Sequence, residues 1–242
     1  MEPRWTTRRP RELVVHDAPY PCPYLPGRQS RLPMRLPSRA LSPVELDQRL
    51  AEGDRRHGAF LYRPSCDECS ACEAIRLPVE ELRSRRSHRR VLAKGDRVFR
   101  VELGPPVVDE ARLELYEKHK ALRGLTTESG KTLDRRGYEA FLVERCVPSF
   151  EMRYWDGPKL AAVAVVDRGH EALSAVYCLW DPEYERLGLG TYSILKQVEL
   201  ARRMSVRWLY LGLYIADNPH MSYKARFLPN ERLVGGRWVR FE

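Results

Sequence analysis

A chain of 242 residues, 43% hydrophobic and 31% charged, has the composition of a water-soluble globular protein with room for one large domain or two small ones. Its longest clean apolar run, Leu160 to Val166, is too short to span a bilayer, and no apolar stretch follows the N-terminal arginines to make a signal peptide. A cytoplasmic protein is expected. The net charge of +9 is unevenly placed: residues 1–100 hold 21 Lys and Arg against 13 Asp and Glu, the other 142 hold 21 against 20. The first part is therefore expected to attract polyanions, nucleic-acid phosphates among them.

Met1 to Pro19 is polar and reads as an irregular arm. Pro19, Pro21, Pro23 and Pro26 then hold an extended segment around Cys22. Ser42-Pro43-Val44-Glu45 predicts a helix start with a capping box, running to about Glu52 and stopping at Gly53. A strand over Phe60 to Arg63 leads into Cys66, Cys69 and Cys72. Closely spaced thiols in a cytosolic chain read as ligands or redox groups rather than disulfides. Three are one short of the usual four, and Cys22 is the natural fourth, with His57 as an alternative. Zinc accepts four thiolates, and the same spacing occurs in iron–sulfur ligation, so the spacing does not choose between them. Cys146 and Cys178 sit singly in apolar surroundings and read as core residues.

Beyond the cysteines, Arg83, Arg85, Arg86, Arg89 and Arg90 give five guanidinium groups in eight residues. Their planar forks suit phosphate oxygens. Neither an RRM nor a KH signature is present, so reading of base sequence is not implied. Helices are predicted over Asp109 to Arg123, with Leu113, Tyr116 and Ala121 inward, and over Leu133 to Glu144. Ser149 to Trp155 and Lys159 to Val166 read as a hairpin through Asp156-Gly157, followed by a strand from Ala172 to Trp180. Asp181-Pro182 breaks that strand. A glycine-containing turn, Arg186 to Thr191, then opens a helix with Ile194, Leu195, Val198 and Ala201 on one face, and Trp208 to Ile215 is a further strand. Strand, turn, helix and strand place the N–H groups of the turn at a helix N-terminus, where an anion or polarised carbonyl is welcome. Tyr177, Tyr192, Tyr210, Tyr214 and Tyr223 all fall in this stretch.

Ser174-Ala175-Val176-Tyr177, Asp181-Pro182, the run Leu189 to Leu195, Tyr210-Leu211-Gly212 and the block Met221 to Phe227 resemble the C-terminal half of the aminoacyl-tRNA–protein transferases. These comprise the arginyltransferases and the bacterial aspartate/glutamate leucyltransferases. The resemblance continues upstream through Cys22-Pro23-Tyr24-Leu25-Pro26, Leu61-Tyr62-Arg63-Pro64 with the three cysteines after it, and Arg83 to Arg90. It implies an α+β protein with a basic, cysteine-bearing N-terminal domain, residues 1–105, and a GNAT-like acyltransferase domain, residues 106–242. Helices, an antiparallel meander, a glycine turn into a helix and further strands are the order of such a domain. Where acetyl-CoA enzymes carry a cation ahead of these glycines, this chain has Glu185, so coenzyme A is not expected.

The family reaction moves an amino acid from the 3′ ester of aminoacyl-tRNA to the α-amino group of an acceptor protein that begins with Asp or Glu, within N-degron protein degradation. The ester is already activated, so the enzyme supplies alignment, worth about 7–11 kcal/mol in favourable systems, and oxyanion stabilisation, about 3 kcal/mol. On the resemblance, Asp181 is the candidate to take a proton from, or orient, the ammonium; Tyr177, Tyr192 and Tyr214 are candidates for the oxyanion or the terminal adenosine. Gly188, Gly190 and Thr191 are expected at the substrate, and Arg76, Lys224 and Arg226 are candidate cations for the acidic side chain. The arginines from Arg83 to Arg90 are expected at the tRNA, and Cys22, Cys66, Cys69 and Cys72 at zinc or an iron–sulfur cluster. Local readings stand beside these: core tyrosines with satisfied hydroxyls, Asp181 as a turn residue, Lys224 as surface charge. The sequence departs from the family pattern at Gly53-Asp54-Arg55-Arg56-His57, Gly188-Leu189-Gly190-Thr191 and Tyr210-Leu211-Gly212-Leu213-Tyr214-Ile215, which bears on whether leucine or arginine is donated. Length favours the compact, leucine-using type. An acetyl-CoA-dependent N-acetyltransferase and a non-enzymatic, metal-stapled RNA-binding protein are the rival readings.

Overall fold

Prolines at 19, 21, 23, 26, 33 and 37 break the first part of the chain into short strands, since each fixes φ and removes a ladder donor. The computed structural model describes residues 4–122 and 133–242. The strands are β1 (Arg4–Trp5), β2 (Glu12–His16), β3 (Pro19–Pro21), β4 (Gln29–Arg31) and β5 (Met34–Pro37). The stretch expected to be an irregular arm is thus partly sheet: Leu13 and Val14 of β2 pair with β1 on one side and β5 on the other. Helix α1 (Pro43–Ala51) begins on the predicted capping box, with Ser42 Oγ accepting from Glu45 N and Glu45 Oε2 from Ser42 N. Strands β6 (Arg55–His57) and β7 (Phe60–Tyr62) complete a five-stranded sheet, β1-β2-β5-β7-β6, with β6 at its edge; β3 and β4 form a separate hairpin.

The remaining elements are β8 (Glu73–Pro78), α2 (Arg86–Gly95), β9 (Arg100–Gly104), α3 (Glu110–Leu122) and α4 (Arg135–Tyr138), which widens into a π-helical turn at Glu139–Val143. Then come β10 (Ser149–Asp156), β11 (Lys159–Arg168), β12 (Ala172–Trp180), a 3₁₀ turn at Pro182–Leu187, α5 (Leu189–Arg203) and β13 (Trp208–Tyr214). The chain closes with α6 (Pro219–Ser222), a 3₁₀ turn at Tyr223–Arg226, β14 (Asn230–Val234) and β15 (Arg237–Phe241). Eight strands form one sheet, β15-β14-β8-β13-β12-β11-β10-β9, antiparallel except where α5 carries the chain across from β12 to a parallel β13. The predicted helix end at Arg123 lies outside the described residues, and Ala121 faces outward while Leu115 and Tyr116 are buried.

β8 and β9 precede residue 105 yet belong to this large sheet, so the expected boundary at 105 leaves two of its strands on the N-terminal side. Strand β11 lies inside the sheet and is buried from Leu160 to Asp167, which explains why its sequence runs apolar without alternating. On one face, α5 packs Leu195, Val198 and Ala201 into a core with Ala162, Ala164 and Leu173; on the other, Tyr116, Tyr138 and Leu142 cover Val163 and Val165. Full burial of each Leu or Val contributes about 1.5–3 kcal/mol. The mixed α+β order, meander then glycine turn then helix, is the one expected for a GNAT-like domain.

Candidate active site

Strands β12 and β13 pair only at their beginnings, Ala172 to Ser174 against Trp208 to Tyr210. Beyond Ser174 both run on without a shared ladder, β12 to Trp180 and β13 to Tyr214. The divergence has a local cause: β13 slips register against β8 between Tyr210 and Leu213, where Gly212 holds φ at +80°. A side chain there would be strained, so glycine makes the bulge. At the same end Gly188, with φ +68°, turns the chain into α5, whose first turn has no side-chain cap. The Cα of Gly190 faces the Trp180 indole. The result is a V-shaped split at the carboxyl ends of two parallel strands, with a free helix N-terminus at its mouth, where α/β folds place ligands.

Edge strand β6 lies across this split, and each of its residues is tied to a wall. The Arg55 guanidinium rests on Gly212, so close that any Cβ there would collide with Nη1. Arg56 reaches the large sheet through both oxygens of Asp167, at 2.9 Å each. His57 stacks on Phe141 of the π-helical turn with ring centroids 4.6 Å apart, and Phe141 meets Tyr177 of β12 edge-on at 5.3 Å.

The block that follows β13 closes the other side. Asn218 caps α6 and donates its side-chain amide to Tyr24 O at 2.9 Å. Lys224 is buried, and its Nζ donates to Leu213 O at 2.6 Å beside Met221 Sδ at 3.1 Å. Burial, reinforced by the charge of Arg55, pulls the Lys224 ammonium down to about 7. Lys224 is therefore neither the surface charge nor the standing cation considered from sequence; Arg226 is exposed.

Other expected site residues fall elsewhere. Tyr192 is fully buried on α5, packed against Phe99 and Tyr154, with its hydroxyl donating to Asp96 at 2.8 Å. It packs into the core between α5 and the large sheet. Arg76 is engaged within the fold: it donates to Glu231 Oε2 at 2.8 and 2.6 Å and to the Tyr210 hydroxyl at 3.0 Å. Its guanidinium lies 3.8 Å from the Trp208 ring centroid and 4.1 Å from that of Trp238, and its Nε/Nη2 fork is taken by Glu231. Asp181 caps the 3₁₀ turn through Glu183 N at 3.0 Å and pairs with Lys159 at 2.9 Å. Burial acts to raise its carboxyl, but the Glu183 N–H and Lys159 prevail and hold it below the ordinary carboxylate value. That is the turn-residue reading, and it makes Asp181 a weak proton acceptor. Tyr177 is half-buried on β12 among Tyr116, His119 and Phe141, and Tyr214 lies at the end of β13 under the Arg232 guanidinium, 4.0 Å from its ring centroid. Thr191 is half-buried in the first turn of α5.

The basic run forms α2 and the residues just before it. Arg85, Arg86, Arg89 and Arg90 are exposed, while His88 turns inward to stack on Phe227 at 5.2 Å. Arg83 pairs with Glu242, and Arg89 donates to Ser84 O at 2.7 Å. The α2 N-terminus carries Arg85 with no capping side chain and no acid in its first turn, an arrangement that repels the helix dipole and favours an anion. Val91 packs against Gly188, so the helix that carries these arginines lies beside the start of α5.

All four expected cysteine ligands are half-buried free thiols. Burial, with Cys22, Cys66 and Cys69 adding to it, pushes the Cys72 thiol up to about 12, and Cys66 Sγ accepts from Arg31 N at 3.4 Å. They share one neighbourhood, although among the described residues no three His, Cys, Asp or Glu side chains stand ready in ligand geometry. Cys66, Cys69 and Cys72 line a cavity of about 610 Å³ that reaches Leu213 and Leu233. Arg55, Tyr24 and Tyr62, which adjoin one another beside the split, were not singled out from sequence.

Residues 20–90 match the description of the arginine-tRNA-protein transferase N terminus and residues 111–234 that of its C terminus. An aspartate/glutamate leucyltransferase of Chromobacterium violaceum is 37% identical over 91% of this chain and 90% of its own length. One from Halorhodospira halophila is 38% identical over 95% of this chain and 98% of its own. The crystal structure of FemX overlaps 74% of this chain and 61% of its own at 11% identity and a TM-score of 0.46. The chain belongs to the arginine-tRNA-protein transferase family, among relatives that are aspartate/glutamate leucyltransferases.

Proposed function

We propose that this protein transfers leucine from leucyl-tRNA to the α-amino group of proteins whose first residue is Asp or Glu. The observation that carries the reading is the split between β12 and β13, with a free helix N-terminus at its mouth and arginines beside it. The leucyltransferase relatives, alike over nine-tenths of the chain, support leucine as the donated residue. Among the described residues no helix is long and apolar enough to cross a membrane.

In the transfer, the neutral amine attacks the ester carbonyl, forming the new C–N bond and a tetrahedral oxyanion. The C–O bond to the tRNA ribose then breaks, and the proton lost by the amine ends on the 3′ oxygen. No nucleophilic side chain is required. N–H groups at the start of α5 and the Tyr177 hydroxyl are the candidate donors to the oxyanion. Lys224, titrating near neutrality, is the group best suited to hold the proton between the two steps. As part of the same reading, Cys22, Cys66, Cys69 and Cys72 hold one thiolate-ligated zinc or iron–sulfur centre. It steadies the N-terminal segment beside Tyr24 and takes no part in the transfer.

Incubation with tRNA charged with labelled leucine or arginine, and peptides beginning with Asp, Glu or Ala, tests the reading. Leucine transfer restricted to the acidic peptides is expected. Arginine transfer instead would reassign the donor, and no transfer from either tRNA would remove the transferase reading.

A further inference from the structure

Most of the buried or half-buried guanidinium groups around β6 have a carboxylate. Arg56 pairs with Asp167, Arg35 with Glu12 and Asp54, Arg49 with Glu12, and Arg76 with Glu231. Arg55 is the contrast: it is half-buried, and among the described residues no carboxylate lies within ion-pair distance of it. Removing a guanidinium from water without a counter-ion is unfavourable, so the fold retains a penalty that its neighbours avoid.

The side chain is nevertheless held in place. Its guanidinium fills the slot left by the missing side chain of Gly212, at the bulge that opens β13 away from β12. Lys224, whose Nζ donates to Leu213 O next to that glycine, feels its charge. A carboxylate entering beside Arg55 would supply the counter-charge that the fold does not.

We propose that Arg55 is the specificity-determining residue that receives the side-chain carboxylate of the acceptor's first residue. The assignment rests on the transferase reading above. A planar fork suits a carboxylate bidentately and gains nothing comparable from a neutral amide, so the site separates Asp and Glu from Asn and Gln. Its position over the bulge sets the acceptor's side chain beside the split. The α-amino group, only a few bonds from that carboxylate, then points toward the ester.

The test compares kcat/KM of the full-length protein, with leucyl-tRNA as donor, for otherwise identical peptides beginning with Asp and with Asn. Arg55→Met is expected to lower the Asp-over-Asn preference by about 10- to 100-fold, the size of one charge-assisted hydrogen bond. Arg55→Lys should retain part of it, and melting temperatures should stay close to that of the parent. An unchanged preference in a folded Arg55→Met protein overturns the assignment while leaving the transferase intact; a parent protein that transfers leucine to no peptide overturns both. A second measurement needs no variant. Modification of Arg55 by phenylglyoxal, followed by mass spectrometry, should be slowed by the Asp peptide and not by the Asn peptide, and equal protection by the two overturns the assignment.

Discussion

Arg56 and Asp167 form a buried ion pair that fastens the edge of the five-stranded sheet to the interior of the eight-stranded one, Nε lying 2.9 Å from both carboxylate oxygens. Further hydrogen bonds hold both partners: Arg56 Nη1 donates to Gly58 O and Glu144 O, and Asp167 Oδ1 accepts from Ser149 Oγ. Both side chains are 1% exposed. Everything that β6 does over the split depends on this anchor.

Removing one partner leaves the other charge buried and unpaired. Arg56→Met and Asp167→Leu should each destabilise the protein by about 3–5 kcal/mol in urea denaturation. The double variant should lose less than the sum of the two, because no lone charge remains. A folded Arg56→Met protein of unchanged stability would show that β6 is held by something else.

Lys224 gives a pH dependence with a definite sign. Its ammonium titrates at about 7 in the fold against 10.5 when free, so between those values the unfolded chain holds a proton that the folded one has released. Stability from this group therefore rises as pH goes from 7 to 10, and at pH 7 the lysine costs several kcal/mol at about 1.4 kcal/mol per pH unit. Lys224→Met should be more stable than the parent at pH 7, with the gap closing by pH 10. Denaturation curves at three pH values measure it, and a constant gap would mean that Lys224 stays charged in the fold.

The sequence disclosed elements set by local chemistry and concealed the parts set by distant contacts. The capping box at Ser42, the hairpin through Asp156-Gly157 and the helix after Gly188 each carry their own signal, and each forms as expected. Side-chain roles fared differently, because a motif says that a residue matters and not what it touches. Arg76 and Tyr192 stand in or near motif blocks, yet their partners, Glu231 and Asp96, lie about a hundred residues or more away. Arg55 was overlooked for the converse reason. Its distinction is a missing carboxylate, and only the assembled fold shows which guanidinium lacks one.

The arginine run supports a salt-dependence prediction that separates its members. Arg86 and Arg90 are exposed on α2, whereas Arg83 is engaged by Glu242. Removing one arginine from the phosphate backbone should reduce the slope of log affinity against log salt by about 0.7–0.9. Arg86→Gln and Arg90→Gln should each lower the slope for uncharged tRNA by that amount, and Arg83→Gln by less. Equal slopes in all three variants would place the tRNA on another face.

The four cysteines make the last prediction, and its force comes from the contrast with a fifth. Cys22 and Cys72 are fifty residues apart in sequence and neighbours in the fold, so one centre bound by both would close a long loop and restrict the unfolded chain. Serine at 22, 66, 69 or 72 should therefore lower both metal content and melting temperature of protein purified without oxygen. Cys146 lies apart, buried with Leu41, Leu46 and Leu61, and burial pushes its thiol up to about 12. Cys146→Ser should leave the metal content unchanged. Iron with acid-labile sulfide identifies a cluster, and one zinc per chain without iron identifies a closed tetrahedral site. Protein that carries neither after anaerobic purification would reduce the four thiols to unliganded neighbours.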